Sequence, residues 1–158
     1  MRQIYTRKAT TADAVNLAGK LIGADRIEVE AVMGLPAELC VPQSIQYSVE
    51  AYASGFVATP GEVSLLWGVD PVPGHPSVGV VWMLSSPDIY TYPQVFAHHV
   101  KAHWDELHTR YDMLTNFTYA ENHPHHRVIK WLGGQMIRRV EKYGAAGLPF
   151  LEFASVKL

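Results

Sequence analysis

The sequence has little of what marks several large classes of protein. Its only cysteine is Cys40, so no disulfide can form within the chain, and a single thiol suits a reducing compartment. Lys and Arg number 13 against 15 Asp and Glu, whereas proteins that bind a phosphate backbone usually carry a basic excess. No apolar run approaches the roughly 18 residues of a membrane-spanning helix. We therefore expect neither a nucleic-acid partner nor a membrane partner.

The composition is that of a globular protein. Apolar residues make up 48% of the chain, which is enough for a hydrophobic core. A length of 158 residues suits one domain, so we expect a single domain over 1–158. The first residues, MRQIYTRKATTAD, lack the apolar core of a signal peptide, which predicts a cytoplasmic protein.

Capping and turn signals predict alternating helices and strands in the first half. A short strand at 4–8 precedes a helix that begins near residue 11. Asp25 predicts the start of a second helix, with Glu28 in the reciprocal capping position and Gly34 as a left-handed stop. Three β-rich segments follow, near 46–58, 62–69 and 78–84. Residues 44–53 are also compatible with a short helix.

The second half predicts one long helix. Ser86-Pro87-Asp88 has the form of a helix start, and Pro93 offers a second one. The helix then carries one apolar stripe with spacings of four, four, three and four, formed by Phe96, Val100, Trp104, Leu107 and Tyr111. A strand at 113–120, a short helix at 123–132 and two closing strands complete an α+β order of elements.

This order is similar to that of the GNAT-type acetyltransferase superfamily. Asn122 and Gly133 lie eleven residues apart around the short helix, a spacing typical of that superfamily. The resemblance implies a mixed, mostly antiparallel sheet that is flanked by helices and splayed between its fourth and fifth strands. It also implies acetyl-coenzyme A (acetyl-CoA) as the cofactor in that gap and an amine as the acceptor.

A narrower likeness is to small GNAT-like proteins of short-tailed phages, some of which are internal virion proteins. It rests on WMLSSPDI at 82–89, LHTRYDMLTNFTYAENH at 107–123 and HRVIKWLGG at 126–134, with weaker support from 26–40. This likeness implies a protein of the host cytoplasm or the virion, with a phage or host protein as its partner.

The segment after the fourth strand departs from the superfamily pattern. An Arg/Gln-x-x-Gly-x-Gly/Ala loop normally holds the cofactor pyrophosphate there through backbone N–H groups. This chain reads SSPDIYTYPQ, with no glycine and with two prolines that offer no N–H. The two serines are also compatible with a plain helix cap. If the cofactor binds, the resemblance implies contacts from Met83, Leu84, Ser85, Ser86 and Asn122.

The usual acid of the superfamily is also missing. Many members protonate the leaving thiolate with a Tyr seven residues after the Asn, and this chain has Ile129 there. Tyr119 at the end of the fifth strand is the candidate hydroxyl in its place. Glu50 and Glu62 are the candidate bases. All three are equally compatible with packing or solvated positions.

Eight histidines raise the question of a metal site. His99 and His103 are four apart on the long helix, so both imidazoles lie on one face at a spacing that can hold zinc. A third ligand could come from the HPHH segment at 123–126. No Glu follows His99, so the metalloprotease signature is absent, and there is no Cys pair for a structural zinc site. We therefore predict no metal site. A zinc-dependent hydrolase stays as a minor alternative.

Two functions remain open. Loss of the glycine loop and of the phenol favours a phage accessory or virion-assembly protein that keeps the fold and acts through protein contacts. The alternative is an active acetyl-CoA-dependent N-acyltransferase that acetylates an amine. An enzyme should keep a cleft open between the strands near 84 and 116. A degenerate relative should fill it, with Tyr90, Tyr92 or Trp131.

Overall fold

A computed structural model describes residues 2–158, which form seven strands and six helices. All seven strands belong to one sheet, with the order β1-β2-β3-β4-β5-β7-β6. The predicted α+β class is confirmed. The elements are β1 (Ile4–Lys8), α1 (Thr11–Ala18), α2 (Gly23–Met33), α3 (Ala37–Tyr47), β2 (Glu50–Phe56), β3 (Leu65–Val72), β4 (His75–Ser85), α4 (Asp88–Thr91), α5 (Pro93–Arg110), β5 (Met113–Tyr119), α6 (His123–Trp131), β6 (Gln135–Tyr143) and β7 (Leu148–Val156).

The sheet is antiparallel except where β4 runs parallel to β5. That parallel contact joins only residues 78–80 to residues 113–115. β4 stays paired with β3 as far as Ser85, and β5 stays paired with β7 as far as Tyr119. Beyond the short contact the two halves of the sheet therefore diverge, and the predicted split between strands four and five is confirmed.

Helices cover both faces of the sheet. Helices α1 and α3 bury their apolar residues over Leu66 and Leu84 on one face. On the other face, Trp104 of α5 and Ile129 of α6 pack against Val81. The apolar stripe predicted for the long helix lies on this second interface. Within residues 2–158, no helix is both long and apolar enough to cross a membrane.

Two element predictions are wrong. The strand predicted over 46–58 begins only at Glu50, because 37–47 forms α3, which buries Cys40 and Val41 completely against its neighbours. Short apolar segments such as SIQY suit either element, and burial decides between them. The second helix begins at Gly23 instead of Asp25, and no side chain caps it.

Trp131 also departs from expectation. A tryptophan on a short amphipathic helix is expected to pack in the core, but 55% of the surface of Trp131 is exposed. The buried face of α6 is formed by His125, His126 and Ile129. Trp131 therefore lies on the outer side of the helix, where it is available to a ligand.

Candidate active site

The split between β4 and β5 begins at the side chain of Asn116. Its Nδ2 donates to the Val81 carbonyl at 2.7 Å, and its Oδ1 accepts from the Phe117 N–H at 2.7 Å. The amide thus bonds to both strands where their backbones have moved too far apart to pair directly. Asn116 marks the narrow end of the gap.

Beyond Asn116, the edge of β4 is free at Met83. Consecutive residues of an antiparallel strand direct their backbone groups to opposite sides. The Val81 carbonyl bonds to Asn116 of β5, so Met83, two residues on, directs its N–H and C=O to the same side. The parallel pairing with β5 ends before Met83, at Val80. The gap therefore offers one backbone donor and one acceptor to an extended ligand.

A cavity of about 440 Å³ passes through the sheet at this gap. Its walls include Val29 of α2 on one face of the sheet and Trp104 of α5 on the other. A second cavity of about 300 Å³ lies between α5 and α6. The walls of the two cavities share Leu65, Met83, Val100 and Val128, so the second cavity, which we call the outer groove, adjoins the gap.

The gap is not filled by the aromatic residues that would mark a degenerate relative. Tyr90 and Trp131 line the outer groove between α5 and α6, and about half of each is exposed. Tyr92 packs edge-on against Phe56, with ring centroids 5.1 Å apart. Of the two arrangements predicted from the sequence, the open cleft is the one observed.

Three ionisable side chains meet at the wide end of the gap, and we call them the acid–histidine cluster: Asp25, Glu28 and His125. Nε2 of His125 lies 3.0 Å from Oδ1 of Asp25, although the contact is not aligned as a hydrogen bond. Nδ1 of His125 lies 3.7 Å from Oε2 of Glu28. The cluster joins α2 to α6 across the split, because its two acids come from one helix and its imidazole from the other.

Both acids also bind the free strand edges. Asp25 accepts from the Ser85 N–H of β4 at 2.8 Å. Glu28 uses Oε1 to accept from the Thr118 hydroxyl at 2.8 Å and from the Tyr119 N–H of β5. Its Oε2 has no hydrogen bond within the described chain. Since Glu28 lines the cavity, this oxygen is available to a ligand.

The environment adjusts the proton affinity of the cluster. Burial raises the pKa of the Glu28 carboxyl, and the charge of His125 offsets part of that rise. Burial alone would lower the pKa of His125, but the charges of Asp25 and Glu28 raise it to about 9. His125 is therefore an imidazolium at neutral pH. A proton acceptor and a proton donor thus lie side by side on the cavity wall.

Sequence reasoning missed this cluster. Asp25 and Glu28 have the spacing of a capping box, which local sequence signals alone therefore predict. Asn122, which caps the short helix, is 97 residues away from Asp25, and its Nδ2 donates to Asp25 Oδ1 at 3.1 Å. One signal in the sequence could have indicated the site: two acids three residues apart at the start of a helix, without the Ser or Thr that usually begins a capping box. Only the fold shows that they face the HPHH segment.

The predicted cofactor residues surround the gap with unequal access. Met83 and Leu84 line the cavity. Ser85, Ser86 and Asn122 are buried beside it. The Ser85 N–H is taken by Asp25, and Asn122 caps α6 by accepting from the His125 N–H at 3.4 Å.

Ser86 is bonded on both its polar groups. Its N–H donates to the Ser64 carbonyl at 2.9 Å, and its hydroxyl accepts from the Asp88 N–H at 3.2 Å. The contact with Asp88 is a turn bond just before α4, whose N-cap residue is Pro87. The amides of Ser85 and Ser86 are therefore not free to bind phosphate in this conformation, and their cofactor role stays a prediction.

The three predicted catalytic side chains lie outside the cavity walls. Glu50 forms a two-point ion pair with Arg110, at 2.7 and 3.1 Å, which lowers the pKa of Glu50. Glu62 is exposed and pairs with Lys20, which lowers its pKa as well. Tyr119 contributes its backbone N–H to the Glu28 carboxylate. No catalytic role for these side chains follows from these positions, and the predicted roles stay untested.

His99 and His103 lie together on the sheet side of α5. Nε2 of His99 is 2.8 Å from the Ser54 hydroxyl, 3.2 Å from Nε2 of His103 and 3.2 Å from the Thr6 hydroxyl. Burial lowers the pKa of His99 to about 4 and also lowers that of His103, so both rings are neutral. Among residues 2–158, no carboxylate, thiolate or third imidazole joins them as a metal ligand.

Comparison with known proteins gives a result by structure and none by sequence. No protein-family model matches the chain, and no curated protein matches it. The fold is similar to the ribosomal-protein-S18-alanine N-acetyltransferase from Escherichia coli, with a TM-score of 0.70 and 11% identity over 98% of this chain and 94% of that one.

Two further structures share the fold. The GNAT-family acetyltransferase from Bacillus anthracis matches with a TM-score of 0.69 and 11% identity, over 99% of this chain and 96% of that one. AAC(6′)-Ib, in complex with ribostamycin and coenzyme A, matches with a TM-score of 0.69 and 17% identity, over 98% and 93%. The identities are low, so these likenesses describe the fold. The chain has the fold of the GNAT acetyltransferases.

Proposed function

We propose that the protein is an acetyl-CoA-dependent N-acyltransferase. The observation that carries this proposal is the cavity that stays open through the sheet beside the unpaired backbone of Met83. A structure with the same fold, AAC(6′)-Ib, has been solved with acetyl-CoA and with coenzyme A. Because a fold hosts many functions, the open gap and its acid–histidine cluster matter more than the likeness.

The residues of the groove fit the cofactor. The backbone N–H and C=O of Met83 can hydrogen-bond to the amides of an extended pantetheine arm, which would take the place of a neighbouring strand. The outer groove contains Arg127, which is exposed and has no ion pair within residues 2–158. Tyr90 and Trp131 beside it offer aromatic faces to an adenine ring. Arg127 therefore replaces the missing glycine loop as the phosphate partner.

The acid–histidine cluster supplies the proton chemistry. Acetyl-CoA, when bound, supplies the thioester that donates the acetyl group. Oε2 of Glu28 accepts a proton from the ammonium group of the acceptor, and its raised pKa suits a general base. His125 holds the proton that a leaving thiolate requires. The 3.7 Å separation between Glu28 and His125 lets one proton return to the imidazole after each turnover.

The first test is calorimetry with acetyl-CoA, followed by a thiol-release assay. Arg127→Ala should weaken acetyl-CoA binding about 10-fold or more, because it removes the cation of the outer groove. Lys130→Ala, an exposed cation on the same helix that lies outside the groove, is the matched control and should bind as wild type. Equal loss in both variants would show a general charge effect instead of a phosphate contact.

The second test separates catalysis from binding. Glu28→Gln keeps an acceptor for Thr118 and Tyr119 but cannot take a proton, so kcat should fall about 100-fold or more with an unchanged Kd for acetyl-CoA. Glu141→Gln removes an exposed carboxylate of β6 and should leave kcat as it is. A Glu28→Gln variant that turns over at the wild-type rate would contradict the assignment of the base.

A second function is favoured by one observation. The amides of Ser85 and Ser86 are already bonded, and the loop after β4 has no glycine, which suits a protein that no longer binds the cofactor. Such a protein would be the phage accessory or virion-assembly protein of the sequence-based hypothesis, working through a protein partner. Even weak binding at about 1 mM acetyl-CoA would raise the free energy of unfolding of the native protein. No stabilisation at that concentration would therefore favour this second function.

A further inference from the structure

We infer that the acceptor is an arylalkylamine, a primary amine with one positive charge and a flat apolar body. This inference rests on the proposed acetyl transfer and concerns the part of the cavity beneath α2. There the cavity lies between the helix and the diverging sheet. We call this space the acceptor slot, and its walls are Val29, Val32, Trp82, Phe117, Tyr143 and Phe150.

The sheet side of the acceptor slot is flat and aromatic. The rings of Phe117 and Tyr143 are stacked, with centroids 4.6 Å apart and planes 21° apart. The rings of Tyr143 and Phe150 follow at 4.8 Å. Trp82 lies against Gly68, where a Cβ would come within 2.6 Å of the indole. The position of the indole thus depends on the absence of a side chain at residue 68. Such surfaces favour a planar ligand that stacks in an offset geometry.

The charges on the cavity wall fit one ammonium group. Within residues 2–158, the cavity is lined by two carboxylates, Glu28 and Asp70, and by no Lys or Arg. Asp70 already accepts from the Val49 N–H at 2.6 Å. The one cationic imidazole, His125, is paired with the acids of its own cluster. Two carboxylates and one imidazolium leave the cavity wall with one net negative charge, which a single ammonium group balances. The carboxylate oxygens without a hydrogen bond in the described residues are Oε2 of Glu28, 3.7 Å from Nδ1 of His125, and Oδ2 of Asp70.

This charge pattern excludes two common kinds of acceptor. A carboxylate or phosphate on the acceptor would enter a cavity whose one cation, the His125 imidazolium, is already paired with Asp25 and Glu28, and burying an unpaired charge is costly. A polyamine or aminoglycoside would bring several ammonium groups to a cavity wall with one net negative charge. An amino acid and a polycation are both poor acceptors for the same reason, a charge left unpaired.

The reaction with such an amine is balanced without any further reactant. The amine nitrogen forms a bond to the acetyl carbon, and the bond between that carbon and sulfur breaks. The ammonium group loses two protons, of which one ends on the thiol and one is released to water through Glu28. No electron transfer is involved.

The test is a thiol-release assay at saturating acetyl-CoA with matched acceptors. 2-Phenylethylamine and phenylalanine differ by one carboxylate, and spermidine offers amines without a ring. We expect kcat/KM for 2-phenylethylamine to exceed those for phenylalanine and spermidine by at least about 100-fold, because each of the latter leaves a charge unpaired. Butylamine has the positive charge but no ring, so its kcat/KM should lie between that of 2-phenylethylamine and those of the other two acceptors.

Variants of the slot walls locate the acceptor. Val29→Phe narrows the slot and should raise KM for 2-phenylethylamine at least about 10-fold with an unchanged Kd for acetyl-CoA. Phe117→Leu adds no volume and removes one aromatic wall, and it should raise the same KM even if Val29→Phe folds poorly. Glu141→Gln, an exposed position of β6 outside the cavity, should behave as wild type.

The outcomes distinguish this inference from the function on which it rests. If acetyl-CoA binds and spermidine or phenylalanine is acetylated as fast as 2-phenylethylamine, the acceptor class is wrong and the acetyltransferase function stands. If acetyl-CoA does not bind in the calorimeter, the proposed function fails and the inference falls with it. Preference for 2-phenylethylamine that survives both slot variants would place the acceptor elsewhere and overturn the assignment of the slot.

Discussion

At the scale of single residues, His125 connects the chemistry of the site to the stability of the fold. Its imidazolium lies between two carboxylates in a buried position, with 9% of its side chain exposed. Removing its proton would leave two neighbouring acids without a counter-charge. His125, which is proposed to protonate the leaving thiolate, therefore also holds α2 and α6 together across the split.

The stability of the protein should accordingly fall at alkaline pH. The pKa of His125 is about 9 in the folded protein and about 6.5 in the unfolded chain, so its contribution is complete below about pH 6.5 and is lost as pH rises through 9. The raised pKa of Glu28 acts in the same direction. We expect the free energy of unfolding to drop by up to about 3 kcal/mol between pH 6.5 and pH 9.5, measured by urea unfolding.

The control for this prediction is a second histidine. His125→Asn should remove most of the slope between pH 6.5 and pH 9.5, whereas His98→Asn, at an exposed position of α5, should keep it. A slope that persists in His125→Asn would assign the titration to another group and leave the cluster without a role in stability.

At the scale of elements, the position of α2 depends on the turn between β6 and β7. The N–H of Ala145 donates to the Val32 carbonyl at 3.1 Å, and the N–H of Ala146 donates to the Ala31 carbonyl at 2.9 Å. These bonds satisfy carbonyls near the end of the helix, which no later turn of helix can reach. The turn thus fixes the helix that carries Asp25 and Glu28.

Two glycines of that turn offer a matched test of this contact. Gly144 and Gly147 both have positive φ, 69° and 65°, so alanine is strained at either. At Gly144 a Cβ would also lie 2.8 Å from the Val32 Cα, whereas nothing lies within 4 Å at Gly147. Gly147→Ala should lower the free energy of unfolding by about 1 kcal/mol, measured by chemical unfolding. Gly144→Ala should lower it by about 2 kcal/mol beyond the loss in Gly147→Ala. An equal loss of stability in the two variants would show that the close contact between Gly144 and α2 does not contribute.

The elements show where sequence reasoning succeeds. The long helix follows from a local apolar stripe, and the short helix from Asn122, its proline and its glycine, because periodicity and caps act within a few residues. The helix at 37–47 could not be derived this way, since its proline and its β-prone end give contrary local signals. For the same reason Asp25 and Glu28 read as caps. Their partners, Ser85, Tyr119 and His125, lie between 60 and 100 residues further along the chain.

At the scale of the whole molecule, the sheet is two antiparallel halves joined by three residue pairs and one side-chain amide. The first half contains β1 to β4 and the second contains β5, β7 and β6. The helices on opposite faces are connected through the gap by the acid–histidine cluster. A molecule built this way has an extended free edge in its interior, and a bound ligand that completes the sheet should tie the halves together.

Hydrogen exchange tests this arrangement over the whole chain. In the absence of acetyl-CoA, the Met83 amide is unpaired and opens to water through the cavity, so it should exchange faster than the amides of β3, which pair on both sides. With saturating acetyl-CoA, protection should rise at the end of β4 and at the start of α6, while β1 and β6, at the outer edges of the sheet, change little. Arg127→Ala at the same concentration should show less protection, because less cofactor is bound. Protection spread evenly over both halves would indicate general stabilisation of the fold, and no change at Met83 would mean that the gap is not where the cofactor lies.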